Sequence, residues 1–261
     1  MRIFKMKKNG ITLVELLIVI ALGALIMAAI YAAMTMAQRT STGLGRKIIT
    51  QQDTRAVLGF MASEIRMASF NPSMTGTLWT GMPTDVTSCT RVTSIVGSIT
   101  YNAANRGIIF ANANNLYIAM DISAEATIGV CTCGDPDDCA DPDEACANRN
   151  EYIFYSYNSG NRAITRSVSC SPNIQILGGT LEGSNVINGD SRYPTPIPLF
   201  QYYNRAGTEL TGTIDIPAIR RIKINIATET TEIDPLTGQR KVMIYTTDVL
   251  VRNHAVFQPQ S

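Results

Sequence analysis

From Ile11 to Ala37 the chain runs for 27 residues with Glu15 and Tyr31 as its only ionisable side chains. As a helix, such a run is roughly 40 Å long, enough to cross a hydrocarbon core of about 30 Å with some tilt. The ten residues before it, MRIFKMKKNG, hold Arg2, Lys5, Lys7 and Lys8 and no acid. Basic residues on that flank place it in the cytoplasm, so the chain beyond the run is expected to face the periplasm or the cell exterior. An ordinary secretory signal is cut behind its apolar core. No A-x-A-like site follows the run, and a cut there would discard the strongest helix in the chain.

Glu15 stands out within this segment. A carboxylate at mid-membrane costs about 2.5 to 3.5 kcal/mol on insertion scales, and less towards the interface. One reading is an acid near a helix end that snorkels into the headgroups. The other comes from its neighbours: a basic leader, then Gly10, Thr12, Glu15 and an uninterrupted apolar helix, all in register. This arrangement resembles the type IV prepilin, or class III, signal. The resemblance implies a dedicated prepilin peptidase that cuts after Gly10 and methylates the new amino terminus at Ile11. It also implies that Glu15, then the fifth residue, neutralises the amino group of an adjacent subunit during filament assembly. Two opposite charges meeting in an apolar core remove the penalty each would suffer alone. Ile11 stands where that family more usually has Phe. Ala32 stands where many major pilins carry a helix-kinking proline, which fits a minor subunit.

Beyond Gln38 the residues Leu44, Ile48, Leu58, Met61, Ala62 and Ile65 recur at mostly three- and four-residue spacing, the signature of an amphipathic helix. Gly43 and Gly45 are expected to loosen or break it, and Asn71-Pro72 to stop it. Strand-like runs follow at RVTSIVGSIT, RGIIFA, NLYIAM, EYIFYSY, RAITRSV, IPLFQYY, AIRRIKINIA and KVMIYTTDVLVRN. Arg221 to Ile226 alternate polar and apolar residues, burying one face. Asp-Pro and Thr-Gly turn signals before Val242 make the last two strands a hairpin with a long loop.

The expected fold class is α+β, a long amino-terminal helix packed on a mainly antiparallel β-sheet domain. The expected organisation is a cleaved leader over 1–10, a transmembrane and filament-core helix over 11–37, an amphipathic helix over 38–70, and a periplasmic β-rich domain over 71–261. The helix QQDTRAVLGFMASEIRMASF, the run EYIFYSYNSGNRAITRSV, and IRRIKINI followed by TTDVLVRN resemble PilW-type minor pilins, which are similar to the J-type minor pseudopilin of type II secretion. That resemblance implies a non-enzymatic subunit of a type IV pilus that serves adhesion, twitching motility or DNA uptake. Its implied partners are the prepilin peptidase, other major and minor pilins, and an inner-membrane assembly platform with its ATPase. A type II secretion pseudopilin, or a periplasmic receptor or enzyme with an uncleaved anchor, are the alternatives. The implied path runs from a single-pass inner-membrane protein to a filament at the cell surface. A domain of over two hundred residues suits a sparse or tip position better than a close-packed repeat.

Removing the four leader cations from the 22 basic residues leaves 18 against 21 acidic, a formal charge of −3. Nucleic-acid binding relies on a clustered basic face, so direct contact with DNA is not supported. Six cysteines, Cys89, Cys131, Cys133, Cys139, Cys146 and Cys170, all follow the apolar run, and disulfides are the default in an exported domain. Four of them share sixteen residues with six acids and two prolines, a loop composition. The readings of that loop are a stapled surface excursion with no cofactor, a calcium site built from Asp135, Asp137, Asp138, Asp141 and Asp143, or a thiolate zinc site. The loop lacks the glycine that the EF-hand template places at its sixth position. No G-x-S-x-G, H-E-x-x-H or P-loop motif occurs, and no catalytic residue is assigned. His254, the single histidine, reads as an exposed, incidental imidazole. Tyr152, Phe154, Tyr155, Tyr157, Tyr202 and Tyr203 occupy strand positions and are assigned to structure.

Overall fold

The structure is a computed structural model that describes residues 10, 12–80, 82, 84–122, 128, 151–180, 184–190, 196–234 and 237–255. Helix α1 spans Leu13–Arg66 without a break. At about 1.5 Å per residue its 54 residues reach roughly 80 Å. Gly43 and Gly45 do not interrupt it, contrary to the expected break. Two glycines cost about 1 kcal/mol each, and the carboxyl half offsets this by burying Thr50, Thr54, Leu58, Met61 and Ile65. Leu44 and Ile48, expected on the packed face, are 56% and 51% exposed. The packed face begins at Thr50, where the sheets first cover the helix. The helix stops at Arg66, ahead of Asn71-Pro72, because Ser69 takes a left-handed φ of 63°. Its N–H then leaves the helix ladder and donates to Ala119 O at 2.9 Å.

Two antiparallel sheets follow. The first has the order β1 (Ile108–Ala111), β2 (Asn115–Ala119), β3 (Tyr152–Asn158), β4 (Ala163–Val168) and β5 (Ile174–Gly178). The second contains β6 (Ser184–Val186), β7 (Phe200–Tyr203), β8 (Glu209–Leu210), β9 (Arg221–Thr230) and β10 (Val242–Leu250). Its order is β10-β9-β7-β8, with β6 also pairing β9. Strands β9 and β10 form the expected hairpin, in unbroken register from Arg221↔Leu250 to Glu229↔Val242. An α+β arrangement of one long helix and a mainly antiparallel domain is therefore what the chain adopts.

One expected strand is a helix. RVTSIVGSIT contributes α3 (Thr90–Val96), behind a single turn, α2 (Thr84–Thr87), and a further turn, α4 (Arg252–Ala255), follows β10. Val92 of α3 is buried, and Gly97 closes the helix with a φ of 83°, a conformation that glycine adopts at little cost. Tertiary burial outweighs the β-branched residues' modest preference for strands. The segment 78–96 covers one face of the first sheet: Leu78, Trp79, Val86 and Val92 pack with Ile109, Tyr117, Tyr152 and Phe154. The other face of that sheet shares a core with α1 and the second sheet, through Leu58, Met61, Ile65, Leu116, Ile118, Ile153, Ile222, Ile224 and Ile226. Strands β2 and β3 are therefore buried on both faces almost throughout, which erases their alternation. At the join between α1 and β1, a Cβ on Gly107 would lie 2.3 Å from Ala119 O and 2.4 Å from Ser69 N, so only glycine fits there.

Candidate functional site

The amino-terminal half of α1 leaves the globular part bare. Its most apolar stretch is 0% buried, and large apolar side chains are exposed around the whole circumference from Leu13 to Met36. A helix apolar on every side needs lipid or protein around it. The helix is long and apolar enough to cross a membrane. Thr35 and Thr40, which an apolar surround would leave unsolvated, donate their hydroxyls to Ala32 O and Met36 O at 2.9 Å each. Such back-bonding keeps hydroxyls satisfied within the helix's own backbone.

Gly10 is exposed, and a Cβ built on it would meet nothing within 4 Å. Ile11 lies outside the described residues. Thr12 is the N-cap of α1, with extended backbone, and the Glu15 N–H donates to its Oγ1 at 3.3 Å. Thr12 and Glu15 thus hold the spacing of a capping box, with Glu15 in the first turn, where a carboxylate also meets the positive end of the helix dipole. This local role is visible in the Thr-x-x-Glu spacing, beside the register with Gly10 and the apolar run. Gly10, Thr12 and Glu15 sit together at the free tip of the helix, remote in sequence from the packed half that begins at Thr50.

The packed half is tied to the first sheet by Glu64. Arg166 of β4 donates to both of its carboxylate oxygens, at 2.9 and 2.5 Å, and the Tyr155 hydroxyl of β3 donates to Oε2. Burial first, then the Glu64 carboxylate, hold the Tyr155 phenol well above its ordinary pKa. The Arg166 guanidinium also lies over the Phe60 ring, 5.2 Å from its centroid. A bidentate arginine fixes both distance and orientation, so the clamp sets how the helix leaves the domain. Sequence reasoning missed it, because Glu64 and Arg166 are 102 positions apart and nothing in the segment around either names the other as its partner.

Among the cysteines, Cys89 and Cys170 form a disulfide that ties the start of α3 to the turn after β4. Cys131, Cys133, Cys139 and Cys146 lie outside the described residues, as do Asp135, Asp137, Asp138, Asp141 and Asp143. Among the described residues no group of three or more His, Cys, Asp or Glu is placed to hold a metal. His254 is not the exposed imidazole expected. It is 3% exposed, with Nδ1 3.0 Å from Ser69 Oγ and Nε2 3.0 Å from Ile216 O. The carbonyl requires a proton on Nε2, which leaves Nδ1 to accept from the serine. The Gly107 N–H in turn donates to Ser69 Oγ at 3.1 Å, so a serine–histidine pair serves to join the end of α1 to the last turn of the chain. Burial is the chief reason the His254 pKa falls to about 4, with Arg220 and Arg106 adding to it against the opposing bond to Ile216 O. Tyr152, Phe154, Tyr155, Tyr157 and Tyr202 are buried, and Tyr203 lies under the Arg221 guanidinium at 4.0 Å.

Residues 5–31 match the prokaryotic N-terminal methylation motif. No curated protein and no solved structure matches the chain. The amino terminus is that of a type IV prepilin-like protein, pilin or pseudopilin in kind. The matched motif takes in Lys5, Lys7 and Lys8 of the leader, Gly10, Glu15 and the first part of the bare half of α1, as far as Tyr31.

Proposed function

We propose that the chain is a minor pilin, a non-enzymatic subunit that primes or joins a type IV pilus. One observation carries this reading: the matched methylation motif ends in a helix whose apolar circumference is wholly unburied in the monomer. A peptidase cuts after the accessible Gly10 and methylates Ile11. The helix then waits in the inner membrane with its domain in the periplasm, and an assembly platform with its ATPase moves it from lipid into the filament core. Glu15 has two tasks on this reading. In the free subunit it sits in the helix's own first turn, at the positive end of the dipole, and in the filament it meets the amino group of a neighbouring pilin, where pairing offsets the cost of a buried carboxylate. Past the match, Gln38 and Arg39 and then Arg46 and Lys47 mark the end of the apolar stretch.

The test is incorporation into sheared filaments. Glu15→Leu is expected to leave membrane insertion and processing intact, since it makes the segment more apolar, and to lower incorporation by about tenfold or more. Wild-type incorporation of Glu15→Leu would contradict the assembly role. Deleting the gene separates this reading from that of a type II secretion pseudopilin: the pilin reading predicts loss of surface filaments with exoprotein release unchanged, and the converse phenotype favours the pseudopilin.

A further inference from the structure

The loop between β9 and β10 reaches further along α1 than the sheets do. Two contacts give the hairpin its direction: the Arg55 guanidinium lies over the Tyr245 ring, 5.4 Å from its centroid, and a Cβ built on Gly43 would lie 3.8 Å from Asp234 Oδ1. Gly43 precedes Arg55 on α1, so the hairpin points its loop at the bare, apolar half of the helix. The apolar run ends at Ala37, six residues before Gly43, or about 9 Å along the axis. A bilayer of about 40 to 45 Å over a core of about 30 Å has headgroup layers of roughly 5 to 7 Å on each side. With the run across the core, the loop stands at the outer edge of the headgroups, within one side chain's reach of them.

The loop is held in shape. The Asp234 N–H donates to Gln239 O at 3.0 Å, and the Gly238 N–H to Asp234 O at 2.8 Å. The Lys241 N–H donates to Thr230 Oγ1 at 3.1 Å, and that hydroxyl donates to Glu232 O at 2.9 Å. Lys241 Nζ pairs with Asp234 at 2.8 Å. These bonds fix the backbone on both sides of Ile233, which is left 57% exposed. From Gln38 to Thr50 the helix carries Arg39, Arg46 and Lys47 and no acid, and residues 231–241 add two acids and two cations, so an excess of three cations stands at this level. Cations beside a membrane helix end meet headgroup phosphates, and an apolar side chain at that depth gains burial. We propose that the β9–β10 loop rests on the phospholipid surface, with Ile233 entering the headgroup layer and the exposed Arg39 and half-buried Lys47 meeting phosphates. The proposal rests on the reading of the amino-terminal arm as a membrane helix, and adds a second contact with the bilayer. Helix and loop together fix the tilt of the domain, which one helix alone leaves free.

The experiment places the full chain in nanodiscs of phosphatidylcholine and phosphatidylglycerol and reads quenching of tryptophan emission by lipids brominated high on the acyl chain, with the parent's Trp79 signal subtracted. Three variants are compared: Ile20→Trp within the apolar run, Ile233→Trp in the loop, and Ile174→Trp on β5. Ile174 is 63% exposed and pairs with Arg166, which holds Glu64. Glu64 lies roughly 30 Å beyond Gly43 along α1, so Ile174→Trp shares tryptophan's own liking for interfaces but stands clear of the bilayer. Ile20→Trp and Ile233→Trp are expected to lose emission by about twofold or more, and Ile174→Trp to keep it. Quenching of Ile20→Trp with Ile233→Trp no more quenched than Ile174→Trp would overturn this proposal alone. A blue-shifted but unquenched Ile233→Trp would overturn it as well, assigning Ile233 to a contact with protein. An unquenched Ile20→Trp would overturn the membrane arm and the loop contact together.

Discussion

Glu15 and His254 illustrate how one side chain answers to neighbours at different distances. Glu15 is read from residues three to five positions away: Gly10, Thr12 and the apolar run place it at a helix start, and the structure adds the bond from its N–H to Thr12 Oγ1. His254 answers to Ser69 and Ile216, which lie 185 and 38 positions away. Nothing beside it in the sequence reports that burial, so it was read as exposed. Its environment sets a pH dependence. The folded pKa, near 4, lies below the ordinary 6.5, so the unfolded chain binds the proton first as pH falls. Stability from this group is fully present above about pH 6.5 and is lost progressively down to about pH 4, by about 3 kcal/mol at most. Denaturant midpoints measured between pH 7 and pH 4.5 are expected to fall, and His254→Gln, which cannot titrate, to flatten that slope. An equal slope in the variant would assign the acid sensitivity elsewhere.

At the scale of elements, legibility followed how local the determinant is. The β9–β10 hairpin was readable because Arg221 to Ile226 alternate strictly and one face is buried against α1. The first sheet was readable as strands but not as a doubly covered layer, since the segment over its outer face, Leu78 to Val96, carried no distinct pattern. Within that segment α3 was misread, because Val92, Ile95 and Val96 suit a helix by spacing and a strand by residue type. The short strands β5, β6 and β8 were not singled out, being held by pairing with longer neighbours. The covering segment is held by the Cys89–Cys170 bridge, which spans 81 positions. Closing a loop of that length is worth about 4 kcal/mol on the chain-entropy account. The Cys89→Ser, Cys170→Ser double variant is expected to lose a stability of that order in denaturant titration, with Trp79 fluorescence reporting the covering layer. A variant as stable as the parent would show that packing alone holds Leu78 to Val96 in place.

The whole molecule divides between a packed domain and a bare helix. Domain and helix are joined through the Glu64–Arg166–Tyr155 clamp, and the exposed apolar arm beyond it has no use within the monomer. That asymmetry is the physical sense of a prepilin-like amino terminus: the domain is packed, and the apolar arm is left for lipid or protein to cover. The arm was legible in the sequence because a membrane helix satisfies its own backbone and needs no distant partner. The measurement that bears most directly on this account is the intact mass of the membrane-extracted protein from cells with and without prepilin peptidase, beside a Gly10→Val variant. The account predicts loss of Met1 to Gly10, with one methyl group added at Ile11, only when both the peptidase and Gly10 are present. A full-length mass in every sample would contradict it and leave the arm as an uncleaved anchor.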